Sequence, residues 1–267
     1  MGTSTHNIGQ KGSTPLVPSW LDQQDTTDDN VLETEIPPLG ANDRFTVPRN
    51  EFTRYINSGG RDPSQGRKSI SNYIKNSLGG SSNATKRLGA AQSSSARLLS
   101  IAAIYSSGGA SAVEKFLSLS DLAHKKAADV FIAITDFVCP DGGTQDEGIA
   151  RSAYISAIEE SPEIAEVPFE SLTQEQMMVI VERSMANVIF ERLTNDIGNK
   201  IIMLPEDRVT SDCLVEQIKD FVRGSISDAI TKLGVNVEGM SHTQSRKIVN
   251  DIYKTAYEIM ISIGEEE

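Results

Sequence analysis

The chain is 267 residues long, 38% hydrophobic and 23% charged, with a formal net charge of −12. This composition suffices for a core and leaves room for a long unpacked segment. With no apolar run near the ~20 residues of a membrane span and no apolar signal core, it argues against a membrane protein and predicts a soluble, cytoplasmic one.

Charge is divided along the chain. Residues 1–43 hold 1 Lys or Arg against 7 Asp or Glu, residues 44–97 hold 10 against 2, and the remainder holds 14 against 28. Three parts in series are expected: an N-terminal arm over 1–43, a basic helical segment over 44–109 and an acidic helical body over 110–267. Cys139 and Cys213 are the only cysteines. They are too few for a disulfide framework and lack zinc-ligand spacing, so both are expected reduced, as small apolar residues on helices, and no metal or other cofactor is expected.

The arm mixes Gly, Ser, Thr, Pro, Asn and Asp with isolated apolar residues, and no period of 3.6 or 2 lasts beyond one turn. Such a segment cannot bury enough to offset its ordering entropy, which predicts a long, intrinsically flexible arm. Pro15-Leu16-Val17-Pro18-Ser19-Trp20-Leu21 breaks the pattern, because its prolines favour extended backbone and the only Trp of the chain follows at once. An unsupported arm has no internal use for this group. Pro15, Leu16, Val17, Pro18, Trp20 and Leu21 are therefore read as an anchor for a groove on another protein; the alternative is that Trp20 folds back on the protein's own helices. Ahead of them Met1 precedes Gly2, a small residue that permits removal of the initiator Met and leaves a free glycine amine on Thr3-Ser4-Thr5. N-myristoylation wants Ser or Thr where His6 stands, so the end is weak for lipid and permissive for other acylation.

From Arg44 the apolar spacing turns helical. Asn50 is the predicted cap of a short helix through Phe52, Tyr55 and Ile56, closed by Gly59-Gly60. Ser64 is the predicted cap of a second through Ile70, Tyr73, Ile74 and Leu78, closed by Gly79-Gly80. A third over 93–107 ends at Gly108-Gly109, and stretches over 112–119 and 122–138 continue the series to Pro140-Asp141-Gly142-Gly143. In the second half Thr144 with Glu147, Thr173 with Gln176 and Ser241 with Gln244 have capping-box spacing, which predicts helices over about 145–160, 174–199, 211–233 and 242–263. Lys200 to Leu204 could pair briefly as a strand. The predicted fold is an all-α, multi-helix bundle carrying the arm.

Catalytic constellations are scarce. His6 lies in the arm, His124 amid a predicted helix beside Lys125 and Lys126, and His242 near a helix start; none has ligand or triad spacing. The stretch from Gly79 to Lys86 has glycines, hydroxyls and a Lys. It lacks the Gly directly before the Lys and the Ser or Thr directly after it that a P-loop uses, so a helix C-cap and turn is the better reading. Within the basic block, Arg61, Arg67, Lys68, Lys86 and Arg87 are candidate contacts to nucleic acid, with Phe45, Phe52, Tyr55 and Tyr73 among the charges. The blander reading, favoured by the acidic chain, packs the aromatics in a core and pairs the basic surface with the protein's own acidic body or an acidic partner.

A set of short motifs spreads from residue 1 to about 230: Met1-Gly2-Thr3-Ser4, the Pro15 to Leu21 group, Arg44-Phe45, Phe52-Thr53-Arg54, Ser58-Gly59-Gly60-Arg61 and Gly79-Gly80-Ser81. Ala96-Arg97-Leu98-Leu99, Phe137-Val138-Cys139-Pro140-Asp141-Gly142-Gly143 and Asn195-Asp196-Ile197-Gly198 extend it. Together they resemble the QatB family, a component of the bacterial Qat anti-phage defence system that accompanies an ATPase, a queuosine-synthase-like protein (QatC) and a TatD-like nuclease. The resemblance implies a part in defence and a stable complex with QatC, with the ATPase and the nuclease as further partners. Enzymes of QatC's type adenylate a 7-deazaguanine carboxylate with ATP before an amine attacks. The Gly2 amine is therefore the expected acceptor, with Thr3, Ser4 and the Pro15 to Leu21 group binding the partner. The chain itself is expected not to be an enzyme. The alternative expectation is a helical nucleic-acid-binding sensor that uses the block 44–97.

Overall fold

The computed structural model describes residues 44–122, 124–140, 143–198 and 208–266. Gly2, Thr3, Ser4, His6, the Pro15 to Leu21 group and the candidate strand at Lys200 to Leu204 lie outside the described residues. Within them the fold is all-α: α1 (Thr46–Asn57), α2 (Pro63–Asn72), α3 (Ser81–Lys86), α4 (Ala90–Leu117), α5 (Ala127–Ala133), α6 (Thr135–Val138), α7 (Gln145–Glu159), α8 (Pro162–Ala165), α9 (Gln174–Leu193), α10 (Arg208–Leu233) and α11 (His242–Glu265).

The three capping boxes form as their spacing predicts. The hydroxyls of Thr144, Thr173 and Ser241 accept the backbone N–H of Glu147, Gln176 and Gln244, and each of these side chains accepts the cap residue's own N–H. α4 breaks where Gly108-Gly109 predicted it: Gly109 takes φ +64° and ψ −160°, a region only glycine enters without strain. Other starts differ. α1 begins four residues before Asn50, because Pro48 falls in the first turn, where a missing N–H costs nothing. α2 is led by Asp62 and Pro63, not Ser64; the proline sits pre-set at the first helical position, and Asp62 accepts the Ser64 hydroxyl at 2.5 Å.

The stretch over 122–138 is not one helix. Ala127 N–H donates to Val167 O and Phe169 N–H to Lys125 O, both at 2.8 Å, and this pairing holds Lys126 extended. His124 consequently lies in a loop, exposed, with its Nδ1 3.1 Å from Glu170. Cys139 caps α6 and is buried, whereas Cys213 is exposed on α10, so the two cysteines do not share the role expected of them.

One hydrophobic cluster runs from Phe52 to Met260 and joins the basic segment to the acidic body. α11 packs on α2, α3, α4 and α10, while α9 packs on α4, α7 and α10. All six tyrosines are buried, and such a phenol needs an acceptor. Tyr154 finds Phe131 O at 2.8 Å, Tyr105 finds Phe169 O at 2.7 Å, and Tyr253 pairs with Ser95 at 2.8 Å. At the end of α7, Glu160 accepts from Asn187 on α9 at 3.0 Å and from Lys219 and Arg223 on α10 at 2.7 and 2.6 Å. This three-helix clasp neutralises a half-buried carboxylate with two cations.

Candidate functional site

Two helices leave α-helical pitch, and their irregular turns meet. α2 runs into a π-helical turn over Tyr73–Ser77, and α9 into another over Thr194–Gly198. Such turns re-aim side chains and are frequent at functional sites. The Tyr73 hydroxyl donates to Asp196 Oδ2 at 2.7 Å, and Arg49 on α1 donates from Nη2 to the Asp196 carbonyl at 2.8 Å. Arg192, one turn ahead of Asp196, donates to Asp146 in the first turn of α7, and its Nε stands 3.5 Å from Asp196 Oδ2. Phe45 stacks on Tyr73 with ring centres 6.2 Å apart. The guanidiniums of Arg44 and Arg49 lie over the Phe45 ring, 4.5 and 5.0 Å from its centre, within cation–π range.

The electrostatics follow from this crowding. Burial first, and the Asp196 carboxylate second, push the Tyr73 pKa far up, so the phenol stays protonated and works as a donor. For Arg192 burial opposes the charge, but Asp146 and Asp196 outweigh it and raise its pKa. Arg87, next to the end of α3, has its pKa lowered by burial and then by the like charges of Arg44 and Arg192. Among the described residues, four guanidiniums thus gather round two carboxylates. Chemically this junction can hold negative charge and fix five segments in place.

The sequence-predicted residues are divided by the fold. Arg87 joins the junction. Arg61 is exposed in the turn between α1 and α2, donating to Ser58 O at 3.0 Å; Arg67 and Lys68 follow on α2, half-buried; Lys86 is exposed at the end of α3. Gly79 and Gly80, at φ +82° and +91°, make the turn between α2's π-helical extension and the six-residue α3, as a C-cap should. His242 is the first residue of α11, its Nδ1 3.0 Å from the Ser100 hydroxyl, and burial followed by Arg246 and Arg97 lowers its pKa. No spacing in the sequence marks Asp146, Tyr73, Asp196 and Arg192 as one site. The signal present was that Arg44-Phe45 and Asn195-Asp196-Ile197-Gly198 both belong to the resemblance, and the fold links them.

A family model described as "Qat anti-phage system associated protein QatB" matches residues 79–260. The chain belongs to the QatB family. Membership carries a role in the Qat anti-phage system and partners within the same operon. Neither a curated protein nor a solved structure matches the chain. In this QatB chain the matched region contains Arg87, Asp146, Arg192 and Asp196, and α1 and α2 bring Arg44, Phe45, Arg49 and Tyr73 to them from outside it. Among the described residues no helix is long and apolar enough to cross a membrane, and no three His, Cys, Asp or Glu side chains gather as a metal site requires.

Proposed function

We propose that the chain is a non-catalytic subunit of the Qat defence complex, gripped through its N-terminal arm by the queuosine-synthase-like component, QatC, and serving that component as a protein substrate. The observation that carries the reading is the Pro15 to Leu21 group: Leu16, Val17, Trp20 and Leu21 stand together in a segment whose other residues are polar or isolated. Aromatic anchors dominate interface energies, and two prolines lower the entropy lost when such a segment docks.

Gly2 is the acceptor in this reading. QatC activates a 7-deazaguanine carboxylate by adenylation. The glycine amine attacks the carboxyl carbon, an amide C–N bond forms, the carboxyl–phosphate bond breaks to release AMP, and the surplus amine proton passes to solvent. An α-amine with a pKa near ~8 has an appreciable neutral fraction at pH 7, so no special activation is required. The ATPase and the TatD-like nuclease complete the set of partners.

The test is the intact mass of the chain co-produced with active QatC. A mass increase of one deazaguanine acyl group that maps to Gly2 is expected; an unmodified N-terminus removes the substrate role. Deleting residues 2–21 and recovering the complex undiminished removes the docking role. The nucleic-acid reading draws on the exposure of Arg61 and Lys86. It requires salt-dependent binding that disappears when Arg61, Arg67, Lys68, Lys86 and Arg87 are neutralised.

A further inference from the structure

Folding leaves one face of α5 and α6 in solvent, the face that bears Ile132, Asp136 and Phe137. Ile132 is 60% exposed and Phe137 37%. Phe116, near the end of α4, is 52% exposed and stands edge-on to Phe137 with ring centres 5.7 Å apart. Across the seam α7 runs antiparallel to α5 and α6. Tyr154 donates to Phe131 O, and three residues earlier Arg151 donates from Nη2 to Asp136 Oδ1 at 2.8 Å and from Nη1 to Cys139 O at 3.1 Å. Ile132 lies one turn before Asp136 and Ile155, also exposed, one turn after Arg151, so this register sets the two isoleucines side by side.

Large apolar side chains exposed in a group mark an interaction surface. The order along this one is an aromatic pair, an ion pair and an aliphatic pair. The Asp136 side chain is 84% exposed, and its bond to Arg151 uses Oδ1, which leaves Oδ2 able to accept a second donor. Such an order is complementary to itself. A twofold axis through the ion pair lays the aromatic pair of one copy on the aliphatic pair of the other and brings each Asp136 to the other copy's Arg151, so every contact occurs twice. A partner of unrelated sequence requires no such balance of one acid, one base and two apolar ends.

We propose that this face is the contact between two copies of the chain, paired about a twofold axis through Asp136 and Arg151. Phe116 and Phe137 pack on the other copy's Ile132 and Ile155. A standard interface takes about 20–30 residues a side, and one centred on these few side chains is smaller, so the dimer exchanges with monomer at micromolar concentration. The pairing belongs to the helical body and holds whatever the fate of Gly2.

Sedimentation velocity of the full chain, from micromolar to near-millimolar concentration, tests the assignment. A monomer–dimer equilibrium is expected. Ile132→Lys should raise the dissociation constant at least tenfold. Its melting temperature, read where both proteins are monomeric, should be unchanged, because the side chain is mostly in solvent. Asp136→Arg and Arg151→Asp should each be monomeric, since like charges then face one another across the axis, whereas an equimolar mixture of the two should recover the dimer. Should Arg151→Asp fold poorly for want of its bond to Cys139, Ile132→Lys decides alone. A chain that stays monomeric throughout or assembles beyond two copies, undiminished affinity in Ile132→Lys, or two folded charge variants whose mixture stays monomeric would overturn the assignment.

Discussion

Tyr73 and Asp196 stand 123 positions apart and share a 2.7 Å hydrogen bond in which a fully buried phenol donates to a carboxylate. Each belongs to a π-helical turn, so the bond ties the irregular end of α2 to that of α9. Arg49 and Arg192 extend the tie to α1 and α7.

Tyr73→Phe keeps the ring and its stacking on Phe45 but removes the donor. Asp196 retains Arg192, so the loss is that of one hydrogen bond to a charged group, about 1.5–3 kcal/mol. Urea unfolding should show a lower midpoint with an unchanged slope, and an unaltered midpoint would mean the bond contributes nothing net.

Glu160→Gln tests the clasp between α7, α9 and α10. Burial works to raise the Glu160 pKa, but hydrogen bonds from Lys219 and Asn187 and the charges of Lys219 and Arg223 outweigh it and hold the carboxyl below the usual glutamate value. A depressed folded pKa means the stabilisation is complete above the unfolded value, 4.5, and is lost as pH falls through the folded one. Glu160→Gln should cost about 2–3 kcal/mol at pH 7, discounted for partial exposure. Its melting temperature should also fall less steeply than the parent's below about pH 4.5.

Two glycine-to-alanine changes inside helices should have opposite signs. A Cβ on Gly264 would stand 2.5 Å from Ser71 Cβ and 2.7 Å from Arg67 O, so α11 could not keep its seat on α2, whereas nothing lies within 4 Å of the same atom on Gly224 in α10. Gly264→Ala should destabilise by roughly 1–3 kcal/mol through overpacking. Gly224→Ala should stabilise by about 0.5–1 kcal/mol through helix propensity alone. Paired thermal melts read both.

Trp20→Ala should lower the affinity for QatC by ~30-fold or more, the scale of a hot-spot aromatic. Pull-down against a concentration series measures it. Val209→Ala, which trims a side chain 76% exposed on α10, serves as the control for a non-specific apolar effect.

The fold was legible wherever one local signal sufficed. Thr144, Thr173 and Ser241 each start a helix because the reciprocal bonds of a capping box involve residues three apart and need no distant partner. Gly108-Gly109 broke α4 for an equally local reason, the backbone angles that only glycine tolerates. His124 lies in a loop although the apolar spacing over 122–138 suits a helix, because the extended backbone there is held by Val167 and Phe169, some forty residues on.

The same division holds for the candidate site. The helical class, the starts of α7, α9 and α11, the charge division and the composition of the segment bearing Gly2 and Trp20 are readable from residue order alone, since these follow from periodicity, caps and residue type. That Arg44, Phe45, Arg49, Tyr73, Arg87, Asp146, Arg192 and Asp196 share one junction emerges only when the helices pack. Spacing along a chain encodes which side chains share a helix face; which faces then meet depends on how all the helices pack at once, and no local signal carries that.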